Sequence, residues 1–153
     1  MKFLKIKINK NEKVEMEYYT DTNEKNPEPA LVRIKAPEIP HAGFLNAIHA
    51  LRKYVIIICE QKDCNDNEIE MRGISFSYHD KQNARGFIFT ALRSLENSHA
   101  PLLLNSPLKY DNTEDEKTCL PDGCLKAINK LEQEAIVFLR ERNSQLSLFE
   151  KAA

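Results

Sequence analysis

Apolar and polar residues alternate from the start of the chain. Leu4, Ile6 and Ile8 face one way and Lys5 and Lys7 the other, which predicts a half-buried strand over residues 2–9. Asn9-Lys10-Asn11-Glu12 supplies turn residues. Val14, Met16 and Tyr18 then alternate with Glu15, Glu17 and Tyr19, so a second strand returns as a hairpin. The polar, proline-containing stretch from Asp21 to Pro29 reads as a loop. Ala30, Val32 and Ile34 alternate with Leu31, Arg33 and Lys35, giving a third strand that Pro37 and Pro40 end.

The period then changes from two to three or four. Phe44, Ile48, Leu51, Val55 and Ile58 recur at helical spacing with Ala47 between them, and Pro40 suits the opening position. One helix from about 40 to 60 is the expectation. The β-branched run Val55-Ile56-Ile57-Ile58 leaves a strand open there. Ile69 to Tyr78 and Gly86 to Leu92 read as two strands joined by the turn His79-Asp80-Lys81-Gln82-Asn83. Leu102-Leu103-Leu104, between Pro101 and Pro107, reads as another short strand, and Asp111 to Lys117 as an acidic loop. Pro121-Asp122 opens the last helix, whose apolar face is Leu125, Ile128, Leu131, Ala135, Phe138 and Leu139.

Hairpins followed by helices imply an α+β fold in which antiparallel hairpins pack with two main helices. Residues 1–142 form its single domain, and residues 143–153 a flexible C-terminal tail. A chain of 153 residues, 42% apolar and 29% charged, buries a core without metal or disulfide help. No apolar run is long enough for a membrane helix, and the alternating start is unlike a signal peptide. A cytoplasmic protein is expected. The net charge of −1 excludes a broad electrostatic DNA-binding surface, so DNA is expected to be met indirectly.

Candidate chemistry is sparse. Cys59 and Cys64 are five apart, as are Cys119 and Cys124, but zinc knuckles usually carry two residues between ligands, so free thiols are expected and no metal. His41, His49, His79 and His99 lie in no nucleophile motif. The acidic loop lacks calcium-ligand spacing, and four glycines leave no phosphate-cradling loop. No enzyme activity and no cofactor are expected. The hairpin at 69–92 carries Phe76, Tyr78, Phe87 and Phe89 near Arg72, Lys81 and Arg85. Aromatics beside cations can stack single-stranded bases, so Arg72, Phe76, Tyr78, Arg85, Phe87 and Phe89 are candidate nucleic-acid contacts. Aromatics on one sheet face are more often core.

The sharpest signal comes last. Gln145-Leu146-Ser147-Leu148-Phe149 follows the polar spacer Arg142-Asn143-Ser144. It resembles the peptide by which bacterial replication and repair proteins dock on the DNA polymerase sliding clamp. Five fixed positions match by chance in fewer than roughly one chain in a thousand. The resemblance implies that Leu148 and Phe149 fill an apolar cleft of the clamp. It implies that Gln145 hydrogen-bonds at the rim, while Leu146 and Ser147 hold the peptide extended. Alternatively, Leu146 and Phe149 continue the helix, since Leu139 and Leu146 are seven apart.

The wider layout also resembles uncharacterised phage and prophage proteins encoded among replication and recombination functions. Ile39-Pro40-His41-Ala42-Gly43-Phe44-Leu45-Asn46-Ala47, Arg72-Gly73-Ile74-Ser75-Phe76-Ser77-Tyr78, Leu95-Glu96-Asn97-Ser98-His99-Ala100-Pro101-Leu102 and Asn105-Ser106-Pro107 carry that likeness. It implies a non-enzymatic replication or recombination accessory protein that docks on the sliding clamp, either recruiting a partner or blocking the pocket. The alternative is a single-stranded nucleic-acid-binding module built on the aromatic hairpin.

Overall fold

The computed structural model describes residues 1–152, and the side chains of all of these but 147 and 149–152. The N-terminal alternation forms β1 (Lys2–Ile8), β2 (Val14–Tyr19) and β3 (Leu31–Lys35). Two helices follow, α1 (Ala42–His49) and α2 (Arg52–Ile58). The long hairpin is β4 (Ile69–His79) with β5 (Ala84–Arg93). Then come β6 (Leu102–Asn105), β7 (Lys109–Tyr110) and α3 (Cys124–Ala152). Among the described residues, the seven strands form one sheet in the order β3-β2-β1-β4-β5-β6, with β7 also on β5. Every ladder is antiparallel. The fold is α+β.

The helices cover one face of this sheet. Phe3, Ile6 and Ile8 of β1, Val14 and Met16 of β2, Ile74 and Phe76 of β4, and Phe87 and Phe89 of β5 are all buried there. From α3, Ile128, Leu131, Ala135, Phe138 and Leu139 complete the core, in the predicted register. Cys124 is buried at the start of that stripe, where the sequence pointed to Leu125, which is half-buried.

The single helix expected over 40–60 is two. Ala50 and Leu51 keep right-handed helical backbone, but with three-residue bonds such as Leu51 N–H to the Ile48 carbonyl at 3.2 Å. This tight turn lets both short helices follow the sheet. The β-branched run Val55–Ile58 is helical because burying Val55 and Ile58 outweighs a small intrinsic preference.

β6 and β7 both lie along β5, interrupted at Ser106 and Pro107. The register changes by one residue across the gap: Thr90 opposes Asn105 and Phe87 opposes Lys109. Proline has no N–H and suits such an edge. Ser106 repairs the break, because its N–H donates to the Phe89 carbonyl at 2.9 Å and its hydroxyl accepts the Phe89 N–H at 2.8 Å. Ser106 is buried, so that bond has no water to replace it. Ser106→Ala strands a buried amide and is expected to cost about 1–3 kcal/mol, read as a lower urea midpoint. A midpoint equal to that of the wild type would mean the bulge closes without the hydroxyl.

Candidate functional site

The last core residues of α3 are Phe138 and Leu139. Around them a polar cluster fastens α3 to the segment before α1. His41 Nε2 lies 2.7 Å from Glu134 Oε2, and Lys130 Nζ lies 2.8 Å from Glu134 Oε1. Arg142 Nε lies 3.0 Å from Glu38 Oε1. Gly43 permits the approach, since a Cβ there would sit 2.7 Å from Glu134 Oε2. A cavity of 130 Å³ remains, lined by Glu38, Ile39, His41, Phe138, Glu141, Arg142 and Gln145. Nothing local in the sequence signals this cluster, because His41 and Glu134 lie 93 residues apart.

Beyond Arg142 the helix continues while the described side chains are exposed. Backbone from 143 to 152 is helical, so the tail expected from 143 is not set off by a helix end. No proline or glycine interrupts residues 124–152, and good helix formers predominate. Asn143, Ser144 and Gln145 are exposed. Leu146 is 47% and Leu148 65% exposed. Leu146 keeps the seven-residue spacing from Leu139 yet has no buried place on the core. The side chains of Ser147 and Phe149, also assigned to the motif, lie outside the described residues.

The aromatic platform expected on the β4–β5 hairpin is not formed. Phe76, Phe87 and Phe89 are 6%, 0% and 0% exposed, under the helices. Tyr78 is half-buried, its hydroxyl donating to the Phe3 carbonyl at 2.8 Å. Arg85 is committed to the fold. It donates to Glu132 Oε1 at 2.7 Å, to Asp111 Oδ2 at 3.3 Å and to Asn129 Oδ1 at 3.0 Å. Burial alone would lower its pKa, but Glu132 and then Asp111 outweigh burial and hold it above its ordinary value. Of the six residues named, Arg72 faces away from these, on the uncovered side of the sheet. The sequence pattern showed which aromatics share a face, not which face the helices cover.

Among the described residues, no group of three or more His, Cys, Asp or Glu is placed to hold a metal ion. The four cysteines are free. Burial pushes the Cys124 thiol up to about 12 and raises Cys59 and Cys64, so these three resist forming the thiolate that a metal or an electrophile needs. No helix of the described residues is long and apolar enough to cross a membrane.

Comparison with protein-family models, with curated proteins and with solved structures gives no match.

The polar cluster is testable by pH. Hydrogen bonds from Lys130 and then His41 hold the Glu134 carboxyl below its ordinary value of 4.5. A depressed carboxyl stabilises the folded state above its unfolded pKa and loses that contribution as pH falls through the folded one. Glu134→Gln should therefore lower the urea midpoint at neutral pH, with the gap to wild type closing as pH drops below 4.5. A gap that stays constant down to acid pH would mean that the carboxylate charge adds nothing.

Proposed function

We propose that this protein is a non-enzymatic accessory factor of phage or mobile-element DNA replication or recombination. It docks on the bacterial sliding clamp through Gln145, Leu146, Ser147, Leu148 and Phe149. The observation that carries this reading is the exposure of Leu146 and Leu148 on the helical turn beyond Arg142. Two bare leucines with no partner among the described residues are a sticky liability, and a greasy cleft on another protein removes it. Continuation of the core stripe would instead bury Leu146.

Docking as the resemblance implies needs an extended peptide. The described side chains from 143 to 148 are exposed, and exposed helical residues contribute little to stability, so unwinding 143–149 costs on the order of 2 kcal/mol at most. A peptide of this kind binding with a Kd on the order of micromolar has about −8 kcal/mol, enough to absorb that cost. The polar cluster at Glu134 and Arg142 marks where unwinding stops. The clamp already encircles DNA, so a body with a net charge of −1 needs no DNA affinity of its own. The rival reading, bases stacked on the hairpin aromatics, lacks exposed rings to stack on.

Calorimetric titration into a purified bacterial clamp is expected to give micromolar-range binding that Leu148→Ala/Phe149→Ala abolishes. No binding by the intact chain sinks the proposal. Removing residues 143–153 should shift the melting temperature by no more than about 2 °C, because the described side chains there are exposed and such residues carry little stability. A larger drop would mean that these residues serve the core.

Ser144→Pro ends the helix before the motif and removes the unwinding cost. It is expected to tighten clamp binding by up to about tenfold. Weaker binding by that variant would mean the helical form is what docks.

A further inference from the structure

The uncovered face of the sheet has its own organisation. Across it run two rows of opposed residues. One is Lys35, Glu15, Lys7, Gly73, Thr90 and Asn105, and the other is Arg33, Glu17, Lys5, Ser75 and Ile88. Each row sets one carboxylate between two cations. The carboxylates pair toward β3, Glu15 with Lys35 at 3.8 Å and Glu17 with Arg33 at 3.3 Å. Among the described residues Lys5 and Lys7 make no ion pair, which leaves two surplus positive charges on the central strand.

Beside them the sheet is shaped. β4 carries a bulge between Met71 and Gly73, which adds Arg72 to the strand. Gly73 cannot be larger, since a Cβ would stand 2.7 Å from the Ile6 carbonyl oxygen and 3.1 Å from Lys7 Cγ. A glycine in a central strand weakens it unless something else needs the room. The room here is a depression of 380 Å³ whose lining includes Lys7, Lys10, Arg72, Gly73 and Ser75, and also Glu15, which pairs away toward Lys35 at 3.8 Å. That volume falls in the small-ligand range. Arg72 uses Nη1 on Glu70, at 2.9 Å, and the rest of its fork has no hydrogen bond among the described residues. The Ser75 hydroxyl likewise has none.

We propose that this depression binds a small phosphomonoester, with Lys7 of its lining and Lys5, two residues along the same face of β1, as charge partners and Arg72 and Ser75 as directional donors over the Gly73 floor. Two surplus cations match one phosphate dianion. Arginine forks and hydroxyls suit its oxygens. A nucleic-acid strand fits less well, because the two rows hold no aromatic ring and the surplus ends at two charges. The site lies on the sheet face, independent of the C-terminal motif.

The test is an amide-resolved NMR titration of the full chain with a nucleoside 5′-monophosphate, then inorganic phosphate, then a single-stranded oligonucleotide. Saturable shifts at Lys7, Gly73 and Ser75 with the first two ligands are expected. Lys5→Gln/Lys7→Gln, both exposed and so safe for folding, should weaken binding by about tenfold or more. Three outcomes overturn the proposal. One is shifts no larger than those from sodium chloride at equal ionic strength. Another is an unchanged response in the double variant. The third is tighter binding of the oligonucleotide, which would make the face a polyanion track. Ser75→Ala gives an independent check, since it keeps both charges and should weaken the same shifts.

Discussion

A row of four aromatic rings ties the sheet together across strands that are far apart in sequence. Tyr18 of β2, Phe3 of β1, Phe76 of β4 and Phe87 of β5 follow one another with centroids 5.9, 6.3 and 5.7 Å apart. The Arg85 guanidinium sits 5.2 Å from the Phe87 ring and closes the row. Tilted and edge-on rings at these spacings attract beyond their shared burial. Once these rings are on one face, alternation fixes what stands on the other. The helices must cover the aromatic side, and the lysines and carboxylates must meet water.

That division leaves two features without a structural partner. One is the end of α3, where the apolar stripe outlives the surface it could pack on. The other is the cationic depression at Gly73, where a bulge and a missing side chain interrupt a well-paired sheet. They sit on different parts of the molecule, and the two proposals give them different partners, a greasy cleft for the first and a compact anion for the second. The Glu38–Arg142 and His41–Glu134 contacts fasten α3 to the segment before α1, ahead of the exposed Leu146 and Leu148. The clamp docking proposed above needs such a boundary, because the peptide must leave the helix without loosening the core.

Much of this was legible in the chain. Strict alternation placed β1, β2, β4 and β5 within a residue or two, and the stripe from Ile128 to Leu139 gave α3 its buried face. The break between α1 and α2 was not legible, because Ala50 and Leu51 carry no proline or glycine signal and the turn there is made by packing. β7, two residues long, has no pattern to show. The pull of the hairpin aromatics toward nucleic acid was misplaced for a physical reason: identical alternation serves a core and a stacking platform, and only the position of the helices decides between them. The isolated Gly73 within a strand was the signal for the bulge and the close backbone approach there.

The sequence by itself determined the α+β class, the strand pairs joined by short turns, and the five-residue motif at 145–149, because these depend on local spacing and residue type. Tertiary structure alone decided which sheet face is covered, that Arg85 serves Glu132 and Asp111, that His41 meets Glu134, and that Leu146 and Leu148 stay bare. Those facts depend on contacts between residues dozens of positions apart. Such contacts form when apolar surfaces leave water together, and no local pattern encodes which surfaces will meet.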